Sequence, residues 1–380
     1  MAPAFAGRSP QAADGAATLA ERSGVDVFRA AARSANTLAA YRSDWGRFAR
    51  WCAAHDVAAL PTTGATLASY LAEAAQARSE TARSAPWRYA PSSLARWVAT
   101  INKAHDLASF RPPGRDPVVG DTLAGIRRLR ATPPTRKAPI LLDDLEAIVT
   151  AIPIGGWPQA PGGLRNRALL VMGWVGAFRR SELAELLTSD VTVHLEDGIH
   201  VQVRRSKTDP EAYGQVVALP YARRSLLCAP CAWARWRAVL DAWEGDDGGP
   251  GGRAGVMRAC RGLDLDQHIC REASSAHGVK VAERSGPAFR AIRANGTLGG
   301  PITGHVVTAV VQAAAAGAGY DPRLLGGHSL RSGFVTQAFR AGADAHSIMR
   351  QTRHRDPKTL EIYARESAPL VGNAVTQVEL

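Results

Sequence analysis

Two short motifs of this sequence place basic side chains where they can share one ligand. In HSLRSGF, residues 328–334, His328 and Arg331 are three positions apart, which puts both on one face of a predicted helix. In FRRSELAEL, residues 178–186, Arg179 stands where a helix is expected to begin, and a helix N-terminus adds its own partial positive charge. Alone, each motif is also typical of a salt-bridged or solvated surface. Together they indicate an anion-binding site.

A tyrosine and a further histidine lie together near the end of the chain. The segment HRDPKTLEIYAR predicts a helix, because Asp356 suits the N-cap and Pro357 suits the first helical position. His354 precedes that cap, and Tyr363 follows nine residues later on the face that carries Leu360. Alone, the segment is typical of a surface helix with one packed tyrosine. Beside two arginines and a second histidine, the tyrosine is a candidate nucleophile.

One reaction would employ all of these groups, namely attack of a tyrosine hydroxyl on a phosphodiester. The attack builds negative charge on the phosphate oxygens, and arginine forks bind two oxygens each without losing their proton. Histidines donate further hydrogen bonds, and a lysine such as Lys207 can protonate the departing sugar oxygen. Such a cationic cage replaces a metal ion, and the sequence shows no carboxylate cluster that would hold Mg²⁺. We therefore expect neither a metal nor a cofactor at this site.

The elements that must position these residues form a predicted catalytic domain, residues 139–372. Helical spacing predicts its first helices, and a change to period-two alternation then predicts three short antiparallel strands. Asp197-Gly198 is a hairpin signal between the first two strands, and Lys207 falls in the turn between the second and third. The Gly-rich residues 244–285 lack sustained periodicity, and we interpret them as an inserted loop before helices resume.

A separate helical domain is predicted over residues 34–131, after an Ala-, Gly- and Ser-rich mobile tail, residues 1–33. Trp45 and Phe48 belong to an apolar stripe at helical spacing in its first helix. The basic segment IRRLRATPPTRKAPILL contains prolines and includes the linker, residues 132–138. We expect this segment to be extended and to track a phosphate backbone, although a solvated linker without a ligand is the alternative. The fold class is thus mainly α with a small antiparallel β-sheet, in which a helical domain and a mixed α+β domain form a clamp. The basic residues that are candidates for contacting a phosphate backbone are Arg96, Lys103, Arg127, Arg128, Arg130, Arg136 and Lys137.

Composition narrows the class of partner. The 380 residues carry a formal net charge of +12, which favours a polyanion such as nucleic acid or an anionic membrane surface. Hydrophobic residues make up 46% of the chain, enough for a core in each domain. No apolar run has the length of a membrane span and no signal-peptide core opens the sequence. We therefore expect a cytoplasmic protein that does not enter a membrane.

The five cysteines argue against a disulfide framework, because their number is odd and no secretion signal is present. Cys228 and Cys231 form a CxxC pair, which Cys260, His268 and Cys270 could complete as a zinc site. The spacing matches no familiar zinc signature, and the CxxC opens a segment typical of a packed helix. We interpret the cysteines as ordinary reduced thiols, with a structural zinc ion as the alternative.

These motifs resemble one known family. GAFRRSELAEL resembles the first box of the tyrosine recombinases, the phage-integrase family, and HSLRSGF resembles their second box. HRDPKTLEIYAR resembles their terminal segment, with the same nine-residue step from histidine to tyrosine. NTLAAYRSDWGRFARWC looks like their first core-binding helix, so the resemblance covers roughly residues 34–372. Three departures are Arg353 in place of a glycine, Ser332 in place of histidine or alanine, and Arg180 at an often apolar position.

The resemblance implies a role for each basic residue around the phosphate. Arg179 and Arg331 would bind the scissile phosphate, and Lys207 would be the general acid toward the leaving 5′ oxygen. Glu182 matches the acidic residue that supports the arginine of the first box or the histidine of the second.

The resemblance also implies roles for the histidines and the tyrosine. His328 and His354 would hydrogen-bond a non-bridging oxygen, and His328 is a candidate for managing the tyrosine proton. Tyr363 would be the nucleophile, forming a 3′-phosphotyrosyl link and freeing a 5′ hydroxyl.

The implied partners are double-stranded DNA recombination sites, on which four protomers act on two duplexes, with a monomer or dimer off DNA. Neither ATP nor metal would be needed, and the enzyme would be cytoplasmic and nucleoid-associated. The segment after Tyr363, ESAPLVGNAVTQVEL, includes the C-terminal tail, residues 373–380, and would dock on a neighbouring protomer. Two alternatives stay open: a type IB topoisomerase, and a catalytically silent DNA-binding protein of the same fold. The complete set of site residues argues against the second, and the missing carboxylate cluster disfavours a metal-dependent nuclease.

Overall fold

The chain divides into two compact units, Met1–Pro134 and Thr135–Leu380. The division falls inside the predicted linker, residues 132–138. The predicted mobile tail, residues 1–33, lies outside the described residues, and of the predicted C-terminal tail only Val378 is described. The computed structural model describes residues 35–79, 87–130, 136–204, 214–245, 252–271, 285–357, 360, 363 and 378.

The described part of the first unit is helical, with an aromatic core. Trp45 and Phe48 are only 6% and 0% exposed, which confirms the apolar stripe predicted for the first helix. Phe48 meets Tyr70 edge to face, with ring centroids 5.1 Å apart, a favourable arrangement for aromatic pairs. The α-helices are α1 (Ala35–Ala54), α2 (Gly64–Gln76), α3 (Pro91–Leu107) and α4 (Pro117–Leu129).

Helix α4 corrects one part of the prediction, which treated residues 127–137 as a single extended basic segment. Arg127 and Arg128 instead lie in the last turn of α4. The Asp116 side chain caps this helix by accepting a hydrogen bond from the Val118 N–H at 3.1 Å. Apolar residues three and four positions apart then supply a buried face, so the segment is helical up to the position before the prolines. The buried residues of α4 are Val119, Leu123 and Ile126.

The described part of the second unit combines helices with two small sheets, as the predicted fold class requires. None of the described helices is both long and apolar enough to cross a membrane. The helices and strands are α5 (Leu142–Ala151), α6 (Gln159–Val175), α7 (Arg180–Glu185), β1 (Val191–His194), β2 (Gly198–Val203), β3 (Gln215–Leu219), α8 (Ala229–Glu244), α9 (Arg253–Ala259), β4 (Arg290–Ile292), β5 (Leu298–Pro301), α10 (Gly304–Gly317), α11 (Gly327–Arg340) and α12 (Ala345–Thr352).

The three-stranded sheet confirms the predicted hairpin. Its order is β1-β2-β3 with antiparallel pairing throughout, and Val193 pairs with Ile199 across the first turn. Gly198 has φ +111°, a conformation that glycine adopts without strain. Two features were not predicted: helix α9, which lies within the Gly-rich insertion, and the antiparallel pair β4-β5. Both are too short to leave a periodic signal in the sequence.

Helices α6 and α11 form the platform on which the site is built, and both approach the segment that precedes α5. Trp174 of α6 donates its indole N–H to the Ile140 carbonyl at 2.8 Å. Gly333 of α11 lies against the same residue, because a Cβ there would be 1.8 Å from the Ile140 carbonyl oxygen. Glycine is therefore required in HSLRSGF for close packing, and this packing fixes the position of α11.

Candidate active site

Arg179 is the N-cap residue of α7, where the sequence predicts that a helix begins, and Glu182 holds it from one turn later. The Glu182 carboxylate accepts hydrogen bonds from the Arg179 backbone N–H at 2.9 Å and from Arg179 Nη1 at 2.6 Å. Glu182 is 3% exposed, so the contact excludes water and orients the guanidinium. The predicted support of the first-box arginine by this carboxylate is present in the geometry.

Arg353 is a second arginine on the same carboxylate, and the sequence did not reveal this role. It ends α12 in a left-handed conformation with φ +61°, which a non-glycine residue rarely adopts. Its Nη2 donates to Glu182 Oε2 at 2.7 Å, and both side chains are almost fully buried. Burial alone would raise the pKa of Glu182, but Arg353 and Arg179 outweigh it and lower that pKa. The carboxylate thus stays ionised between two cations.

Arg331 lies near this group, in α11, and is 1% exposed. Its Nη1 donates to the Ala177 carbonyl at 2.6 Å, whereas its buried Nη2 has no hydrogen-bond partner among the described residues. Burial, together with Arg179 and Arg353, lowers the pKa of Arg331 to about 9, which still leaves it cationic at neutral pH. A buried charged donor without a partner is costly, so this nitrogen suits an incoming anion.

The candidate nucleophile meets a histidine directly. His328 Nε2 lies 2.6 Å from the Tyr363 hydroxyl, which is hydrogen-bond distance. Burial and then Arg331 and Arg179 lower the pKa of His328, which keeps the imidazole neutral and able to accept a proton. His328 is exposed, so solvent and salt weaken the effect of these charges. Leu360, which is 1% exposed, anchors the segment that carries the tyrosine.

His354 is a second histidine that lies close to Tyr363. The two ring centroids are 6.3 Å apart, against 6.2 Å between His328 and Tyr363. Thr352, the last residue of α12, contacts His354 Nδ1 through its hydroxyl at 2.7 Å and also donates to the Ile348 carbonyl at 2.8 Å. Burial, followed by Arg331 and Arg179, lowers the pKa of His354 to about 3. No motif in the sequence pointed to the positioning role of the threonine.

The lowered pKa of His354 predicts a stability that depends on pH. Between its folded pKa of about 3 and the unfolded value of 6.5, the unfolded chain binds the extra proton, so acid favours unfolding. We expect thermal stability to be complete above pH 6.5 and to fall as the pH is lowered toward 5, by at most about 1.4 kcal/mol per pH unit from this residue. Thermal unfolding of His354→Gln should show a shallower decline, and a decline equal to that of the wild type would contradict the assignment.

The shared carboxylate predicts a large effect of removing Glu182. Glu182→Ala leaves the two arginine charges without their counter-ion, and breaking a buried pair from one side costs about 3–5 kcal/mol. Hydrogen exchange in α7 peptides should report this loss, with Glu185→Ala, an exposed glutamate of the same helix, as the matched control. Adding Arg353→Met to Glu182→Gln should recover part of the loss that Glu182→Gln causes alone. Equal exchange in Glu182→Ala and Glu185→Ala would contradict this account.

The structure therefore brings together five of the six predicted catalytic residues, together with Glu182. Lys207, the sixth, lies outside the described residues, in the gap between β2 and β3 where the sequence placed a turn. The five residues that lie together in the site are Arg179, His328, Arg331, His354 and Tyr363.

The candidate DNA-contacting residues differ in how far their side chains are available. Arg96 is bound to the buried Asp44 through two hydrogen bonds of 2.9 Å. Arg130 is 8% exposed and donates to the Tyr89 carbonyl at 2.9 Å, so we leave it out of the proposed DNA contacts. Lys137 is exposed and donates to the Arg323 carbonyl. Exposed or half-buried positions are those of Lys103, Arg127, Arg128 and Arg136.

Comparison with known proteins supplies an independent line of argument. No family model matches the chain. An integrase/recombinase XerD homolog of Selenomonas ruminantium is 30% identical over 348 residues, which cover 90% of this chain and 85% of the relative.

Solved structures show a similar fold. The Tn1549 transposon integrase in complex with transposon right end DNA gives a TM-score of 0.51 at 12% identity, covering 93% of this chain and 96% of that one. The same integrase with circular intermediate DNA gives 0.50 at 14% identity, covering 89% and 92%. At these identities the likeness shows the fold alone. The 30% identity to the Selenomonas relative over 90% of this chain shows the family as well as the fold. It agrees with the sequence motifs and with the geometry around Tyr363, and the chain therefore belongs to the tyrosine recombinase family of integrases.

Proposed function

We propose that this protein is a site-specific DNA recombinase that breaks and rejoins DNA through a 3′-phosphotyrosyl intermediate. The observation that carries the proposal is the 2.6 Å contact between His328 Nε2 and the Tyr363 hydroxyl, next to a cationic pocket. The pocket contains the buried Arg331, whose Nη2 has no partner among the described residues, and Arg179, which Glu182 holds in place.

The proposed reaction begins when the Tyr363 oxygen attacks the scissile phosphorus and gives its proton to His328. Arg179 and Arg331 bind the non-bridging oxygens, where negative charge accumulates in the transition state. His354 donates a further hydrogen bond to one of these oxygens once it is protonated on phosphate binding. The bond from phosphorus to the 5′ oxygen breaks as the 3′-phosphotyrosyl bond forms. In the proposal, Lys207 delivers the proton that the leaving 5′ oxygen needs.

Rejoining is the reverse of this sequence, with a 5′ hydroxyl from a second strand as the nucleophile. Because the phosphotyrosyl bond retains the energy of the original phosphodiester, neither ATP nor a metal ion at the phosphate is needed. We propose that four protomers act on two duplexes, with a monomer or dimer off DNA, in the cytoplasm close to the nucleoid. The clamp of the two units around DNA stays a prediction.

We propose that backbone phosphates contact exposed basic side chains in both units. Arg127 and Arg128 at the C-terminal end of α4 are exposed, and so is Arg136 of the second unit. Contacts of this kind bind DNA without reading its sequence and weaken steeply with salt. A variant that loses two of these arginines should lose about two phosphate contacts. The slope of the logarithm of the DNA-binding constant against the logarithm of the salt concentration should fall accordingly, by about two.

One experiment tests the proposed function by trapping the covalent intermediate and identifying the DNA sequence on which it forms. The full chain is expressed in bacteria, and its covalent DNA complexes are collected under denaturing conditions and sequenced. We expect the attached DNA to share one short sequence. A nicked duplex with that sequence should then form an adduct in buffer without ATP or magnesium. Attached DNA without any shared sequence, combined with plasmid relaxation, would instead indicate a topoisomerase. No adduct at all would indicate a catalytically silent protein.

A further inference from the structure

A second cluster of reactive side chains lies in the same unit, where the inserted segment meets the start of α8. Cys228 is the N-cap of α8 and Cys231 lies in its first turn, so their sulfur atoms lie at one end of the helix. His268 and Cys270 come from the insertion, 37 positions from Cys231 in the case of the histidine. The ligand atoms of all four residues lie within 4.8 Å of one another.

The distances within this cluster match tetrahedral metal coordination. Cys228 Sγ is 4.0 Å from Cys270 Sγ, and His268 Nδ1 is 3.3 Å from Cys231 Sγ and 3.8 Å from Cys270 Sγ. Zinc bonds of about 2.3 Å to sulfur and about 2.0 Å to nitrogen place tetrahedral ligands roughly 3.5–3.8 Å apart. A disulfide would need sulfur atoms about 2.05 Å apart, so no two of the described cysteines are joined by a disulfide.

The histidine is oriented as metal-bound histidines are. His268 Nε2 lies 3.1 Å from the Arg223 carbonyl oxygen, and a carbonyl can only accept, so Nε2 carries the hydrogen. The lone pair is then on Nδ1, the atom that faces the sulfurs. A backbone carbonyl on the other ring nitrogen is the usual way in which proteins fix the tautomer of a ligating histidine.

The backbone around the cluster is held rigidly by polar contacts. Arg235 of α8 donates to the Gln267 carbonyl at 2.6 Å and to the Asp264 carbonyl at 2.8 Å. Ser225 donates to the same Gln267 carbonyl at 2.7 Å. The cysteine side chains are buried against Tyr221, while His268 closes the cluster on its exposed side. The ligands therefore stand on a preformed frame.

We propose that Cys228, Cys231, His268 and Cys270 bind one structural zinc ion. Three cysteines and one histidine form a closed tetrahedral set with no open position for substrate, as in structural zinc sites. The ion would fasten the Gly-rich insertion to α8. The interpretation of these thiols as ordinary reduced cysteines is replaced by this proposal for three of them. Cys260 is not part of the cluster and packs instead against the main core.

The proposal is tested on the untagged full chain, purified without chelator, by measuring zinc and protein in the same sample. We expect about one zinc per chain in the wild type and in Cys260→Ser, the matched control that removes a thiol outside the cluster. The double variant Cys231→Ser/Cys270→Ser should retain less than about a tenth of this zinc. Equal zinc contents in the wild type and the double variant would overturn the proposal.

A second measurement uses the wild type alone, in case the double variant does not fold. Zinc is exchanged for cobalt, which should give the intense visible absorption of tetrahedral cobalt bound by thiolates. Mass-mapped alkylation should find Cys228, Cys231 and Cys270 protected until a chelator is added, and Cys260 unaffected by the chelator. A cobalt spectrum without thiolate bands, or a disulfide between any two of the three cysteines, would overturn the proposal. Both readouts are independent of DNA cleavage.

Discussion

Replacing Tyr363 with phenylalanine is expected to abolish the covalent protein–DNA adduct completely. The substitution removes only the hydroxyl that His328 contacts at 2.6 Å and leaves the ring, which packs against the small cluster around Leu360. We therefore expect Tyr363→Phe to fold and to bind DNA as the wild type does. Because catalysis through a covalent intermediate needs the nucleophilic atom itself, no neighbouring group can compensate.

The matched control for this variant is Tyr320→Phe, which removes a hydroxyl in the same unit but outside the site. The Tyr320 hydroxyl donates to Asp144 at 2.9 Å. Incubation with nicked substrate and a denaturing gel should show an adduct with the wild type and with Tyr320→Phe, and none with Tyr363→Phe. An adduct that persists in Tyr363→Phe would show that Tyr363 is not the nucleophile.

Replacing Arg331 with alanine is expected to slow adduct formation by about a thousandfold, equivalent to about 4 kcal/mol of transition-state stabilisation. Its buried Nη2 is a charged donor without a partner among the described residues, and it lies in the site beside Arg179 and Tyr363, so it is available to the phosphate. Arg331→Lys keeps the charge but loses the planar fork, and we expect it to recover only part of the rate. Loss of stabilising charge at a phosphate oxygen acts on the rate more than on DNA binding, since many other phosphates contribute to binding.

Single-turnover formation of the adduct at saturating protein measures this rate. Arg340→Ala, an exposed arginine at the end of the same helix, is the matched control and should react at the wild-type rate. Thermal unfolding of each variant separates a lost contact from a lost fold. A wild-type rate in Arg331→Ala would show that Arg331 does not contact the reacting phosphate.

The sequence predicts most of this site because its parts are local. His328 and Arg331 lie on one helical turn, and Arg179 and Glu182 on another, so spacing alone places each pair. The hairpin at Gly198 is equally local, and the structure confirms it. The alternation of apolar residues also predicts the fold class, because a buried helix face and a buried strand face have different periods.

The parts that could not be predicted depend on contacts between distant segments. In the sequence, Arg353 only stands where the family has a glycine. The fold shows that its guanidinium donates a hydrogen bond to Glu182, which is 171 positions away in the chain. The cluster of Cys228, Cys231, His268 and Cys270 also depends on such a contact. Its CxxC pair and its HxC pair come together as a proposed metal site only when the insertion folds back onto α8. Helix α4 was missed for another reason: the prolines that follow it suggested that the whole basic segment was extended.

The most direct test of the central claim is to identify the residue that carries the DNA. The wild-type adduct is trimmed with nuclease, digested with trypsin and analysed by mass spectrometry. Cleavage after Lys358 and Arg365 releases the peptide TLEIYAR, in which Tyr363 is the one tyrosine. We predict a nucleotide attached through a 3′ phosphate to Tyr363 in this peptide. A nucleotide on any other residue, with this peptide recovered unmodified, would contradict the account.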